Sequence, residues 1–167
     1  ILEICEWQNL DQVSIFNKGI SNKQGVLSLF RKSIGDGSAT FEKKHLQSKN
    51  AQRIQVPVIA LDYFVQSNEL KNVCFIKIDA EGHESKVIEG AIQTIERFKP
   101  YVQVEVSNTK SNSTYKILNT FKSLGYIGKI LLDGGGTPDV DFLNKIPSPK
   151  FGLSGHRDLF FQFSENC

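Results

Sequence analysis

Phe75-Ile76-Lys77-Ile78-Asp79-Ala80-Glu81-Gly82-His83-Glu84-Ser85-Lys86-Val87-Ile88-Glu89-Gly90 is the stretch that decides the fold. A short β-branched and aromatic run stops at two carboxylates flanking Ala80, and one glycine leads into an amphipathic segment. That order reads as strand, turn, helix. In a parallel sheet, ligands and chemistry sit at the carboxyl ends of the strands. Asp79 and Glu81 fall at such an end.

On the carboxyl side, Val87, Ile88, Ala91, Ile92, Ile95 and Phe98 recur at three- and four-residue spacing, which predicts one helix over 83–98. Glu81 and Glu84 at its start and Arg97 and Lys99 at its end complement the helix dipole, and Pro100 stops it. Val102, Val104 and Val106 alternate with Gln103 and Glu105, so 101–106 is a strand. A helix over 113–124 carries Ile117, Leu118, Phe121 and Leu124 and closes at Gly125. Strands over 126–132 and 158–163 flank an irregular, Gly- and Pro-rich segment at 133–150, and His156-Arg157-Asp158 reads as a turn.

On the amino side, 1–8 reads as the end of a helix, and 13–20 and 26–30 as two strands of a hairpin with a longer loop. Residues 33–38 form a mobile glycine-rich loop, Pro57 demotes the strand over 52–60 to a sheet edge, and 61–67 is a short helix opened by Asp62. Strand, helix, strand, helix, strand at this spacing means βαβ units and a parallel sheet. The late strand follows no helix and is free to return antiparallel. The whole of 1–167 reads as a single α/β domain.

At 167 residues, 40% hydrophobic and 23% charged, the composition is that of a globular domain with a real core. A formal net charge of +2 makes no case for nucleic acid or an anionic membrane as partner. The densest basic spot, Lys43-Lys44-His45 behind Glu42, reads as a solvated face. No apolar run approaches the roughly 20 residues of a membrane span. Cys5, Cys74 and Cys167 lie far apart, with no CxxC pair and no zinc spacing. They read as reduced thiols, Cys74 packed in a strand, which favours a cytoplasmic setting. The chain has no methionine, begins at Ile1 and shows no signal peptide there, so it is expected to be a piece of a longer protein.

If the strands ending at Ile78 and Val106 are neighbours, roughly 5 Å apart, Asp79, Glu81 and Glu105 converge. Converging carboxylates take a proton as a general base, hold a hard cation, or hydrogen-bond a polar, positively charged ligand. The competing reading makes Glu81 a helix cap and Glu105 the partner of a lysine. His83, in the first helical turn, either orients a substrate or lies on the surface. Gly134-Gly135-Gly136 lacks a following Lys-Ser/Thr, and no GxGxxG follows a strand. No Ser-His-Asp or Cys-His set stands in usable context.

The block 75–84 resembles the fourth-strand signature of the FkbM-type methyltransferases, roughly I-K-[IL]-D-[VA]-E-G-x-E. Further matches follow in order. Val87-Ile88-Glu89-Gly90-Ala91 is similar to that family's helix, and Lys99-Pro100 with Val102-Gln103-Val104-Glu105-Val106 to its next strand. Val56-Pro57-Val58-Ile59-Ala60-Leu61-Asp62-Tyr63-Phe64 resembles its upstream segment, and Asn9-Leu10 through Gly19-Ile20-Ser21 and Gly25 its third strand and turn.

The resemblance implies a Rossmann-like class I fold, a mostly parallel sheet with an antiparallel last strand, here truncated at the N-terminus. It implies S-adenosylmethionine as methyl donor and O-methylation of a small-molecule or sugar hydroxyl. On it, Asp79 lies near donor and acceptor, and Glu81 and Glu105 line the acceptor pocket, where one of them takes the hydroxyl proton. His83 and Ser38 border the acceptor, Ser21 lies on the adenine side, and no metal ligand is assigned. The family's first strand with its D-x-G-A-N glycine motif, and the acid ending the second strand, have no counterpart here. The alternative function is therefore a methyltransferase-like binding or scaffolding domain that has lost its donor site. A nicotinamide-dependent oxidoreductase is disfavoured by the same lack of a glycine fingerprint.

Overall fold

The computed structural model describes residues 12–43, 51–106, 111–130, 139 and 157–164. Expectations for 1–8, most of 133–150, Cys5, Cys167, Lys44 and His45 lie outside these residues. The described chain is a mixed α/β fold with two sheets. The first joins β1 (Gly19–Ser21), β2 (Gly25–Arg31) and β3 (Gln52–Ala60) in the order β1-β3-β2. The second joins β4 (Phe75–Ile78), β5 (Tyr101–Val106), β6 (Tyr126–Ile130) and β7 (Arg157–Phe163) in the order β4-β5-β7-β6. Its helices are α1 (Leu61–Ser67), α2 (Glu84–Glu89), α3 (Ile92–Phe98) and α4 (Asn112–Ser123).

The expected antiparallel last strand is present. A mostly parallel sheet is not what the ladders give. β4 and β5 are parallel, but β7 inserts between β5 and β6 and runs antiparallel to both. β5 and β6 therefore point the same way, and one reversed strand makes two antiparallel ladders. The expected hairpin of 13–20 with 26–30 also does not form. β3 lies between β1 and β2, parallel to the first and antiparallel to the second. The β1 ladder covers only Val58–Ala60. Pro57 sits one residue outside it, where β3 has a ladder neighbour on the β2 side alone among the described residues. The strand is thus an edge at its proline and central at its apolar end, where Val58, Ile59 and Ala60 are buried.

The core lies between the second sheet and α2, α3 and α4. Ile78, Val102, Val104, Val106, Ile130, Leu159 and Phe161 point inward, and Ile88, Ile95, Ile117 and Phe121 pack onto them. The Phe121 and Phe161 rings stack at 4.0 Å and 11°, and Tyr126 meets Phe121 edge-on at 5.3 Å. α4 begins where the Ser111 hydroxyl accepts the Thr114 N–H at 3.1 Å, and the chain leaves it through Gly125 at φ 78°. The opposite face of the sheet leaves Phe75, Tyr101 and Ile127 exposed. Cys74 lies just ahead of β4 and is exposed rather than packed.

The single helix expected over 83–98 is two helices, broken at Gly90-Ala91. The cause is a close approach. A Cβ at residue 90 would run into the carbonyl oxygen of Ser21 and come 2.9 Å from the Asn22 Cα. Gly90 thus lets α2, which covers the second sheet, touch the end of β1. The break leaves the first N–H groups of α3 without partners of their own. Asp62 supplies them from a distance: its carboxylate accepts the N–H of Gln93 at 3.1 Å and of Thr94 at 2.8 Å. Its own N–H donates to the Gly90 carbonyl at 2.9 Å. Asp62 was expected to open its own helix; it caps α3 instead. Beside the joint, Glu89 accepts from Asn22 at 3.1 Å and pairs with Lys86 at 3.0 Å and Lys116 at 3.4 Å. The Asn22 amide, then the two ammonium groups, hold its carboxyl down at about 2.

Three outcomes follow from this joint. Gly90→Ala is expected to lower unfolding stability by about 1–3 kcal/mol or more, because backbone rather than a side-chain tip must give way. Asp62→Ala is expected to cost about 1–2 kcal/mol through the lost cap. Denaturant titrations of each variant check both. A group whose folded pKa is depressed stabilises above its unfolded value and ceases to as pH falls through the folded one. Glu89 should therefore support the fold above pH 4.5 and lose that contribution towards about pH 2. Denaturation midpoints should fall more steeply over this window in the native chain than in Glu89→Gln.

Candidate functional site

β4 and β5 pair in parallel, with Phe75 opposite Tyr101, Lys77 opposite Gln103 and Ile78 opposite Val104. Asp79 and Glu105 come next on their two chains, at the same end. Within β5, alternation puts Glu105 on the face of Gln103, away from the helices that bury Val104 and Val106, and Asp79 lies one residue beyond β4. Asp79 is exposed, its side chain 43% accessible, and its 3.7 Å pair with the exposed Lys77 contributes little. Glu105 is partly buried.

The same rim holds a carboxylate that sequence reading took for part of a turn. Asp158 lies within β7, directly opposite Glu105, and accepts the Gln103 amide at 2.8 Å. The alternation of Asp158, Phe160 and Gln162 with Leu159, Phe161 and Phe163 was the available signal. Glu81 lies past the end of β4. It sits in the turn after β4 with φ 48°, followed by Gly82 at φ 97°. Among the described residues, no group of three His, Cys, Asp or Glu side chains is disposed to hold a metal ion.

The turn itself is held from several sides. The Thr40 hydroxyl donates to the Glu81 carbonyl at 2.7 Å. The Gly82 N–H donates to the carboxylate of Glu84 at 2.7 Å, and Glu84 is buried at the start of α2. A left-handed residue other than glycine costs about 1–2 kcal/mol, and these bonds offset it. They also give the two glutamates flanking Gly82-His83 different tasks. Glu84 holds the turn's backbone, whereas Glu81 is the residue placed in the strained conformation.

His83 is not on the surface. It is 5% exposed, with Nε2 3.0 Å from the Ser21 hydroxyl and Nδ1 3.1 Å from the Glu42 carboxylate. The Phe41 ring packs against it at 5.1 Å. Ser21 is buried at the end of β1 and bonded to this histidine. Ser38 belongs to a local turn in which Asp36 accepts its N–H at 3.0 Å, its hydroxyl at 2.7 Å and the Lys32 N–H at 2.7 Å. Those bonds, the Lys32 N–H foremost, hold the Asp36 carboxyl down at about 2. Thr40 and Glu42 were missed by sequence reading. Their segment has no periodicity, and only the antiparallel bridge of Thr40 to Phe30 carries it beside β2.

Beside Asp79 lies a cavity of about 290 Å³, lined on one side by Ile20, Leu29, Ala39 and Phe41 and on the other by Lys77, Ile78, Asp79, Ala80 and, from α2, Val87. Its walls are mostly apolar, with one carboxylate and one ammonium. Chemically, such a place suits an apolar ligand carrying one positive or hydrogen-bonding group. Among the described residues, no helix is long and apolar enough to cross a membrane.

Compared with known proteins, the chain matches the family described as the methyltransferase FkbM domain over residues 8–127. No curated protein and no solved structure matches it. The matched span contains β4, β5, the turn between β4 and α2, the Gly90 joint and the Asp62 cap. With more than half of its length matched in this way, the chain belongs to the FkbM methyltransferase family.

Proposed function

We propose that this chain serves the transfer of a methyl group from S-adenosylmethionine to a hydroxyl of a small molecule or sugar, on a Rossmann-like sheet of the class I type. One observation carries the reading. Asp79 and Glu105 stand at the carboxyl ends of adjacent parallel strands, with an apolar cavity beside Asp79.

The donor's chemistry fits this lining in part. A positively charged sulfur with apolar substituents suits apolar walls and a single carboxylate. At about 290 Å³ the cavity is at the small end for ligand sites and takes the reacting end of one ligand, not donor and acceptor together. When bound, S-adenosylmethionine supplies an activated methyl group. The chain's own residues do the rest. Asp79 holds positive charge near the cavity mouth. Glu105, one strand away, accepts the hydrogen bond of the acceptor hydroxyl and takes its proton. The Glu81–Gly82 turn closes that side of the site. The cavity's size favours a second reading, a methyltransferase-like domain that binds one ligand without turnover.

Isotopically labelled S-adenosylmethionine and a panel of sugars and small phenols test the first reading. Label should pass to at least one hydroxyl compound. Asp79→Ala should lower the rate at least about a hundredfold, in the range assigned to positioned proton-transfer and charge groups, with unchanged unfolding, since Asp79 is exposed. Undiminished turnover in that variant contradicts the assignment. No calorimetric binding of the donor, together with no label transfer, favours the second reading.

A further inference from the structure

We propose that Glu42, His83 and Ser21 form a positioning relay that fixes the Asp79–Gly82 turn against the cavity, with Glu42 acting through His83. The proposal deepens the methyl-transfer reading and rests on it for its effect on turnover. The relay itself stands on geometry.

The bonds run in one order. As a carboxylate, Glu42 accepts, so in a neutral ring the Nδ1 atom it meets at 3.1 Å carries the hydrogen. Nε2 of the neutral ring is then an acceptor, and the Ser21 hydroxyl 3.0 Å away donates to it. A second acceptor stands beside Ser21: the Asn22 side-chain oxygen at 3.4 Å. Asn22 is oriented by Glu89, which accepts its amide at 3.1 Å and so turns the oxygen towards Ser21. A hydrogen-bonded chain therefore runs from Glu42 through His83 to Ser21, at the end of β1 against which Gly90 packs.

Its ends explain its use. Glu42 follows Phe41 on the segment whose Ala39 and Phe41 wall the cavity. His83 follows Glu81 and Gly82, whose left-handed backbone does not hold itself. Ser21 ends β1, against which Gly90 packs. The relay thus ties cavity wall, strained turn and sheet joint together with three side chains. The same order of acid, imidazole and hydroxyl serves acyl transfer in hydrolases. Here Ser21 is 2% exposed and its backbone is covered by Gly90, so its hydroxyl is an anchor and not a nucleophile.

The test uses the full chain with ¹⁵N-labelled histidine, His83→Gln assigning the signal. Nuclear magnetic resonance should find the neutral ring of residue 83 protonated at Nδ1 in the native chain. Glu42→Gln keeps an acceptor and should preserve that tautomer; Glu42→Leu should move the population towards Nε2–H. Amide exchange at Gly82 and His83 should quicken about tenfold or more in Glu42→Leu and remain native in Glu42→Gln. In the label-transfer assay, Glu42→Leu should lower kcat about tenfold with the acceptor KM within twofold, and Glu42→Gln should restore it.

An Nε2–H ring in the native chain overturns the relay. So does an unchanged tautomer ratio in Glu42→Leu, or exchange at Gly82 that is the same in every variant. Ser21→Ala guards against a misfolded leucine variant: it should speed exchange at the same two amides, and native exchange there also overturns the relay. If the tautomer and exchange behave as expected while native chain transfers no label, the methyl-transfer reading falls and the relay stands.

Discussion

The contact on which this structure depends is the one that a side chain would prevent. Gly90 meets the backbone of Ser21 and Asn22 where α2 ends, and this ties the helix over the second sheet to the end of β1 in the first. Interiors are close-packed and yield little to an added methyl group. A backbone obstacle yields less than the end of a side chain. The cost of this approach is a broken helix, and Asp62 offsets it by capping α3 from another element. The Gly-Ala pair and the Leu-Asp pair of the family resemblance are thus two halves of one joint.

From that joint the site is placed. β1 is held beside α2, and the turn after β4 is trapped between Thr40, Glu84 and the Glu42–His83–Ser21 chain. A strained glutamate in such a frame persists because its surroundings over-determine it. The acids of the rim are ordered differently. Asp79 and Glu105 follow the ends of paired strands, so their placement answers to the parallel pairing of β4 with β5.

Much of this was legible in the sequence where one period dominated. Alternating valines gave β5, the stripe of Ile117, Phe121 and Leu124 gave α4, and the run before Asp79 gave β4. What was not legible depended on contacts distant along the chain. Periodicity continues through Gly90 because both half-helices face the same core, so nothing local marks the break. Pro57 suggested an edge because a short sequence window does not reveal that β1 covers only three residues of β3. His83 was open between substrate and surface because its partners, Ser21 and Glu42, are 62 and 41 positions away. Asp158 reads as the junction of a turn and the last strand, and its place opposite Glu105 was not legible because that partner is more than fifty residues away.

The central claim is that Asp79 and Glu105 share one rim of two co-directional strands. Neighbouring strands bring Cα atoms within the reach of a disulfide. The direct measurement is cross-linking in Asp79→Cys/Glu105→Cys, with Cys5, Cys74 and Cys167 replaced by serine. The account requires rapid, near-complete intramolecular disulfide formation under mild oxidation, with the fold retained. A folded chain in which the two thiols stay free would mean that the strands run head-to-tail or that the residues face opposite sides.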